Sequence, residues 1–170
     1  MKGIFIAAAA ALAMLACGCA AYSWRPSVPA DRRTVAVPTF RNESNVTALG
    51  SALTRQTLRE FEREGTYKIR PAGDSALEIQ GIVKDSSSHS VAYGRKTGER
   101  NREYRLRATA EISFIDKTTG RVLVDNRRYT AQTTFLANDD ILTGERDAAG
   151  RLAEEMARRI VDDALTLEWK

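Results

Sequence analysis

Two thiols, Cys17 and Cys19, are the residues of this chain whose type and setting most directly imply a covalent reaction. They follow an apolar run from Ile4 to Ala16, which itself follows the positive charge of Lys2. Such a run is too short to cross a bilayer as a helix, which takes about 20 residues, and its order of charge then apolar residues is that of a secretory signal. Ala16 precedes Cys17, and Ala16-Cys17-Gly18 precedes Cys19, so both cysteines fit a bacterial lipobox. Cysteine is needed there because its thiol alone can carry a diacylglycerol as a thioether, after which the freed amine can be acylated too. Cys17 is the preferred lipid attachment site and Cys19 the alternative. The signal peptide is therefore residues 1–16, or 1–18 if Cys19 is used, and residues 17–30 form the anchor and tether. A Cys17–Cys19 disulfide is the competing reading, and so short a loop would strain it.

Acyl chains contribute ~0.8 kcal/mol per buried methylene, so two or three of them hold a domain on a membrane without a transmembrane helix. The next residue is Gly18 or Ala20 rather than aspartate, which points to the outer membrane. No cysteine follows Cys19, so the domain of residues 31–170 folds without internal disulfides. Tyr22 and Trp24 lie just past the anchor, where their rings either rest at headgroup level or, for Trp24, pack on the fold.

The rest of the chain offers little for catalysis. His89 is the one histidine and lies among serines with no orienting carboxylate nearby in sequence. Neither a Ser/His/Asp arrangement, an HExxH, a pair of CxxC motifs nor a phosphate-cradling glycine loop is present. Asp139-Asp140 reads as cap chemistry before a helix, and Glu154-Glu155 and Asp162-Asp163 as its solvated face. We expect no enzyme, no metal site and no cofactor. The charge distribution says more. Arg95, Lys96, Arg100, Arg102, Arg105 and Arg107 crowd one segment against Glu99 and Glu103. This is either a solvated surface compensated across strands by Glu103, Glu111 and Asp125, or a site for an anionic partner. At an outer membrane the abundant anion is lipopolysaccharide, whose phosphates invite charge-assisted hydrogen bonds from Arg and Lys. Nucleic acid is not expected there.

The elements that must position these cations follow from periodicity. Thr34-Val35-Ala36-Val37 reads as a strand ended by Pro38. Asn42, Ser44 and Asn45 supply turn and cap chemistry for a helix carrying Leu49, Ala52, Leu53, Leu58 and Phe61, which runs to Glu64 and is stopped by Gly65. Tyr67-Lys68-Ile69 is a short extended piece. Leu77, Ile79, Gly81 and Val83 alternate with Glu78, Gln80, Ile82 and Lys84 as a half-buried strand, followed by a polar connection from Asp85 to about Arg102. Tyr104, Leu106, Ala108, Ala110, Ile112 and Phe114 then mark one face of a long strand with Arg105 and Arg107 on the other. Asp116 to Gly120 turns the chain, and Arg121 to Phe135 returns antiparallel, with a bulge near Asn126 to Arg128 to explain a switch in apolar phase. Ala149, Leu152, Ala153, Met156, Ile160, Ala164 and Leu167 form the stripe of a last helix. The expected fold is α+β, two helices on a roughly four-stranded mixed sheet with a long antiparallel hairpin.

Taken in order, several stretches resemble the LptE lipopolysaccharide-assembly lipoproteins. They are a lipobox cysteine followed by Tyr22 and Trp24, the Thr34-Val35-Ala36-Val37-Pro38-Thr39-Phe40-Arg41-Asn42 strand and turn, and a helix with Leu53-Thr54. The Ala76-Leu77-Glu78-Ile79-Gln80-Gly81 strand, Glu103-Tyr104-Arg105 and an Ala-rich helix ending at Trp169 complete the set. The family often places Gly-Tyr directly after the lipid cysteine, and this chain departs from that. The resemblance implies a non-catalytic plug in the lumen of an LptD-like β-barrel that helps place lipopolysaccharide. Such a lumen is polar and admits a slender polar body. The stretch Val35 to Asn42 is also similar to the CsgG, TolB and LpoB-type periplasmic domains, which implies the alternative of a lipoprotein regulator of peptidoglycan synthesis. A tether of about 15 residues reaches at most ~50 Å, short for that task.

Overall fold

Thr34–Ala36 forms β1, and Pro38 just beyond it removes no ladder hydrogen bond because the strand has already ended. The structure is a computed structural model describing residues 28–93, 102–137 and 141–169, with backbone alone at 91–93, 102 and 137. After β1 come β2 (Arg41–Asn42), α1 (Leu49–Glu64), β3 (Lys68–Ile69), β4 (Leu77–Tyr93), β5 (Arg102–Asp116), β6 (Arg121–Ala137) and α2 (Ile141–Leu165). The described strands form one six-stranded mixed sheet in the order β3-β1-β4-β5-β6, with β2 also on β4. Pairs among β1, β2, β3 and β4 are parallel, whereas β4, β5 and β6 form an antiparallel meander. The expected α+β, two-layer arrangement is present. Its strand count is six rather than about four, because the two-residue β2 and β3 are too short to show a period.

The helix α1 ends where Gly65 adopts a φ of 81° and returns its N–H to the Phe61 carbonyl at 3.0 Å, the left-handed stop that glycine permits. Its start differs from the expected cap. Ala48 occupies the N-cap with no side-chain hydrogen bond. Asn42 instead accepts the Ser44 N–H and donates to the Val46 carbonyl, so it builds the turn ahead of the helix. Thr54 and Thr57 sit in the buried stripe with both hydroxyls satisfied: Thr54 Oγ1 accepts the Phe40 N–H at 2.9 Å, and Thr57 Oγ1 donates to the Leu53 carbonyl at 2.8 Å.

Leu106, Ala108, Ala110, Ile112 and Phe114 of β5 are buried under α2, whose Ala149, Leu152, Ala153, Met156, Ile160 and Ala164 form the matching stripe. Both helices cover the same face of the sheet, and no described helix covers the other, called the open face below. Gly81 lies on the helix face because there is no room for more: a Cβ there would come within 2.6 Å of Ile112 Cδ1 and 2.8 Å of Phe40 Cδ1. The expected bulge is found at Asn126, which takes a φ of 45° where the β5–β6 register slips between Ile112 and Phe114.

The polar connection expected from Asp85 onward is strand up to Tyr93. A bulge at Lys84 shifts the phase, so that Ser86, Ser88 and Ser90 lie opposite Ala108, Leu106 and Tyr104. Ser86 is buried, but Ser88 and Ser90 are exposed, because that end of β4 runs past the helical cover. Beyond the cover the ladder with β5, rather than apolar burial, holds the strand.

Candidate cationic sheet face

Alternation along β5 puts Arg105 and Arg107 on the open face, and the register sets their neighbours. Arg105 lies between His89 of β4 and Thr134 of β6, and Arg107 lies between Ser87 and Gln132. The next row is Asp85, Thr109 and Thr130, with the two threonine hydroxyls 3.1 Å apart. Both arginines are exposed, and neither forms an ion pair with a described residue. Two of the three acids expected to compensate them are engaged elsewhere. Glu111 takes Arg128 at 3.2 Å, and Asp125 accepts from Ser113 Oγ and Asn126 Nδ2 in the bulge. Glu103, two residues before Arg105, shares their face and tempers the positive field at one end.

Arg102 opens β5, opposite Tyr93 and Ala137, so its backbone stands one row beyond Glu103. Arg95, Lys96 and Arg100 lie outside the described residues, as do Cys17, Cys19, Tyr22, Trp24, Asp139 and Asp140. The structure thus brings Arg105 and Arg107 together on one face, with the start of β5 placing Arg102 at the same end. His89 joins the Arg105 row as an exposed residue, and no carboxylate is aligned on it.

At the opposite end of the sheet the charges are paired. Arg32 Nη1 reaches both carboxylate oxygens of the buried Asp116 at 2.6 Å, and Arg32 Cζ lies 5.5 Å from the Trp169 ring centre. Burial pushes the Asp116 carboxyl up. Donation from the Thr119 hydroxyl and the Thr118 and Thr119 N–H groups, with the Arg32 charge, outweighs this and leaves it below the usual carboxylate range. Glu78 is also held low, first by Gln80 Nε2 at 2.6 Å and then by Lys117 at 3.0 Å, against the upward push of burial. Glu78 and Gln80 line an open-face cleft of about 370 Å³ with Pro38, Thr39 and Arg41. Glu111 and Ser113 also line it, Glu111 paired with Arg128 and Ser113 Oγ donating to Asp125, and neither a histidine nor a thiol is among its described lining residues. Among the described residues no cluster of His, Cys, Asp and Glu suited to a metal is found. Sequence reasoning had no means of finding the Arg32–Asp116 pair, whose partners are 84 positions apart.

The comparisons decide the family. The LptE family, described as lipopolysaccharide-assembly, matches residues 32–164. The chain belongs to the LptE family. Membership places it in lipopolysaccharide assembly and among outer-membrane lipoproteins, in a family that is not catalytic. No curated protein matches it. A chain described as a lipoprotein from Caulobacter crescentus CB15 is similar, with 19% identity, a TM-score of 0.51, and coverage of 75% of this chain and 89% of that one. A hypothetical protein from Chlamydia trachomatis has 8% identity, a TM-score of 0.51 and coverage of 79% and 96%. A protein from Xanthomonas campestris has 13% identity, a TM-score of 0.50 and coverage of 81% and 88%. At these identities the three show a shared fold alone. No described helix of this LptE-family chain is long and apolar enough to cross a membrane.

Proposed function

We propose that this LptE-family chain is the lipid-anchored partner of an LptD-like β-barrel and contacts lipopolysaccharide through its cationic sheet end. Cys17, or Cys19 in its place, carries the lipid. Arg95, Lys96, Arg100, Arg102, Arg105 and Arg107 receive the phosphates. The observation that carries the reading is the pair Arg105 and Arg107, two exposed guanidinium groups one row apart, with two of their three expected counter-ions, Glu111 and Asp125, tied to other residues. A planar guanidinium fork matches phosphate oxygens, and two forks on adjacent rows match a multiply phosphorylated headgroup better than a single charge.

Affinity purification of the full lipoprotein from detergent-solubilised outer membranes tests the partnership. The expected result is one large β-barrel protein in about equal amount, and recovery of a penicillin-binding protein instead would reject the reading in favour of a regulator of peptidoglycan synthesis. Intact mass of the purified chain reports the acylated cysteine. In the same preparation R105Q/R107Q is expected to weaken lipopolysaccharide binding with an unchanged melting temperature. Unaltered binding would remove both residues from the site.

A further inference from the structure

Among the described residues the large apolar side chains that stay exposed are Val122, Leu136, Ile141 and Leu142, and three of these four lie on the adjoining ends of β6 and α2. Leu136 is 56% exposed near the end of β6, and Ile141 (44%) and Leu142 (67%) open α2. The first turn of α2 is pressed onto the strand at this point: a Cβ on Gly144 would come within 2.8 Å of the Phe135 ring and 3.0 Å of the Leu136 carbonyl oxygen. Ile141 and Leu142 thus open the helix beside the end of β6 that carries Leu136. Beside them Thr134, Phe135, Leu136 and Gly144 line a cleft of about 590 Å³ between β6 and α2.

This apolar surface adjoins the cationic face. Leu136 lies opposite Glu103, one row from Arg105 opposite Thr134, and Arg107 opposite Gln132 is one row further. Successive rows on one face are ~7 Å apart, so leucine and guanidinium groups succeed one another along a single direction. Glu103 and Asp147 stand at the rim of the cleft with Arg151. These carboxylates disfavour an anionic headgroup in the cleft itself, and they favour its seating on Arg105 and Arg107 with an uncharged part directed toward the leucines.

The protein's own anchoring bilayer is badly placed to cover this patch. The described chain begins at Val28, whose carbonyl accepts Arg33 Nε at 3.0 Å, and Arg32 beside it is tied to Asp116 at the far end of β5. From Arg102 to Asp116 a strand extends ~50 Å, whereas the stretch from Cys17 to Val28 reaches at most ~40 Å. We infer that Leu136, Ile141 and Leu142, with the cleft beside Gly144, form an acyl-chain subsite for the same phosphorylated amphiphile whose headgroup Arg105 and Arg107 hold. This rests on the lipopolysaccharide reading given above and assigns the fatty part of that molecule a place on the protein.

The test compares full-length protein binding to intact lipopolysaccharide and to fully deacylated lipopolysaccharide, which keeps the phosphates. L136Q/L142Q is expected to weaken binding of the intact form about tenfold and to leave the deacylated form unchanged, whereas R105Q/R107Q weakens both. Equal binding of the intact form by L136Q/L142Q and the parent overturns the subsite while leaving the phosphate reading in place. Failure of the parent to bind either form overturns both. Light scattering on the same samples gives the remaining outcome: a parent dimer that L136Q/L142Q dissociates would assign the patch to a second copy of the chain and overturn the subsite. Should the double variant melt early, photo-crosslinking from a benzoylphenylalanine at Leu142 in cells replaces it, with a lipopolysaccharide adduct expected and its absence overturning the subsite.

Discussion

Substituting Asp116→Asn removes one charge from the point where the chain's first described turn, the β5–β6 connection and the C-terminal tryptophan meet. The carboxylate is 5% exposed, accepts from Arg32 Nη1 at 2.6 Å on both oxygens, and accepts from Thr118 N at 2.8 Å and Thr119 Oγ1 at 2.9 Å. The amide keeps one acceptor but turns its NH2 toward either the guanidinium or the threonine donors. Removing one partner of a buried ion pair costs about 3–5 kcal/mol. Arg32 is 20% exposed and keeps Asp31 at 3.2 Å and the Trp169 ring, which reduces the expected loss to about 2–4 kcal/mol. For a domain of this size 1 kcal/mol moves the melting temperature by about 3 °C, so circular dichroism should register a fall of roughly 6–12 °C. A fall below about 1 °C would refute the assignment of this pair as a fastening of the fold. The pH dependence supplies the sign. Because the folded carboxyl is held low, its contribution is complete above the unfolded value of ~3.9 and disappears as pH falls from there through the folded value. The difference in stability between parent and D116N should therefore shrink steadily below about pH 4. Glu78, shifted the same way, acts in both proteins and drops out of that difference.

Gly81→Ala should lower stability by about 1–3 kcal/mol, read as a shift in urea midpoint, because its methyl would overlap Ile112 Cδ1 and Phe40 Cδ1; a variant as stable as the parent would mean that both yield without strain. On the sheet's outer edge, Arg151 Nη2 and Arg159 Nη1 each donate at 3.0 Å to the carbonyls of Thr134 and Thr130. Eight helical residues rise ~12 Å and four strand residues ~13 Å, so the two arginines match the two edge acceptors. R151Q/R159Q should change stability by under about 1 kcal/mol each but produce concentration-dependent self-association in light scattering, since an unblocked edge strand pairs with another. A double variant that stays monomeric at all concentrations would assign the edge's protection to other groups.

The parts of this fold legible in the sequence are those where burial writes a period. The β5 alternation, the α2 stripe, the Gly65 stop and the phase switch that marks the Asn126 bulge each follow from an apolar face meeting the core. Ser87 to Ser90 read as a connection because no apolar side chain there marks an alternation, and the ladder partner is remote in sequence. β2 and β3 are held by pairing and are too short to carry a pattern. Ala48 replaced the expected polar cap because Asn42 spends its amide on the turn instead. For the candidate site, the face of Arg105 and Arg107 was legible from alternation. That they lack described counter-ions was not, since it depends on Glu111 and Asp125 being committed to Arg128 and to the bulge.

The core does not require the whole length of the sheet. At ~3.3 Å per residue the 17 residues of β4 span roughly 56 Å, while the 16 residues of α1 cover ~24 Å and the 25 of α2 ~37 Å. A two-layer fold could end β4 near Val83, the last buried large apolar residue among the described side chains of that strand. Of the described side chains in the continuation beyond Val83 only Ser86 is buried, while Ser88, His89 and Ser90 are exposed, and ordering its backbone costs about 1–2 kcal/mol per residue, which ladder hydrogen bonds offset. What it supplies is a strand extension that sets His89 and Ser87 beside Arg105 and Arg107 of β5. We propose that this extension, laid beside Arg105 and Arg107 of β5, serves the anionic ligand assigned to that face under the proposed function.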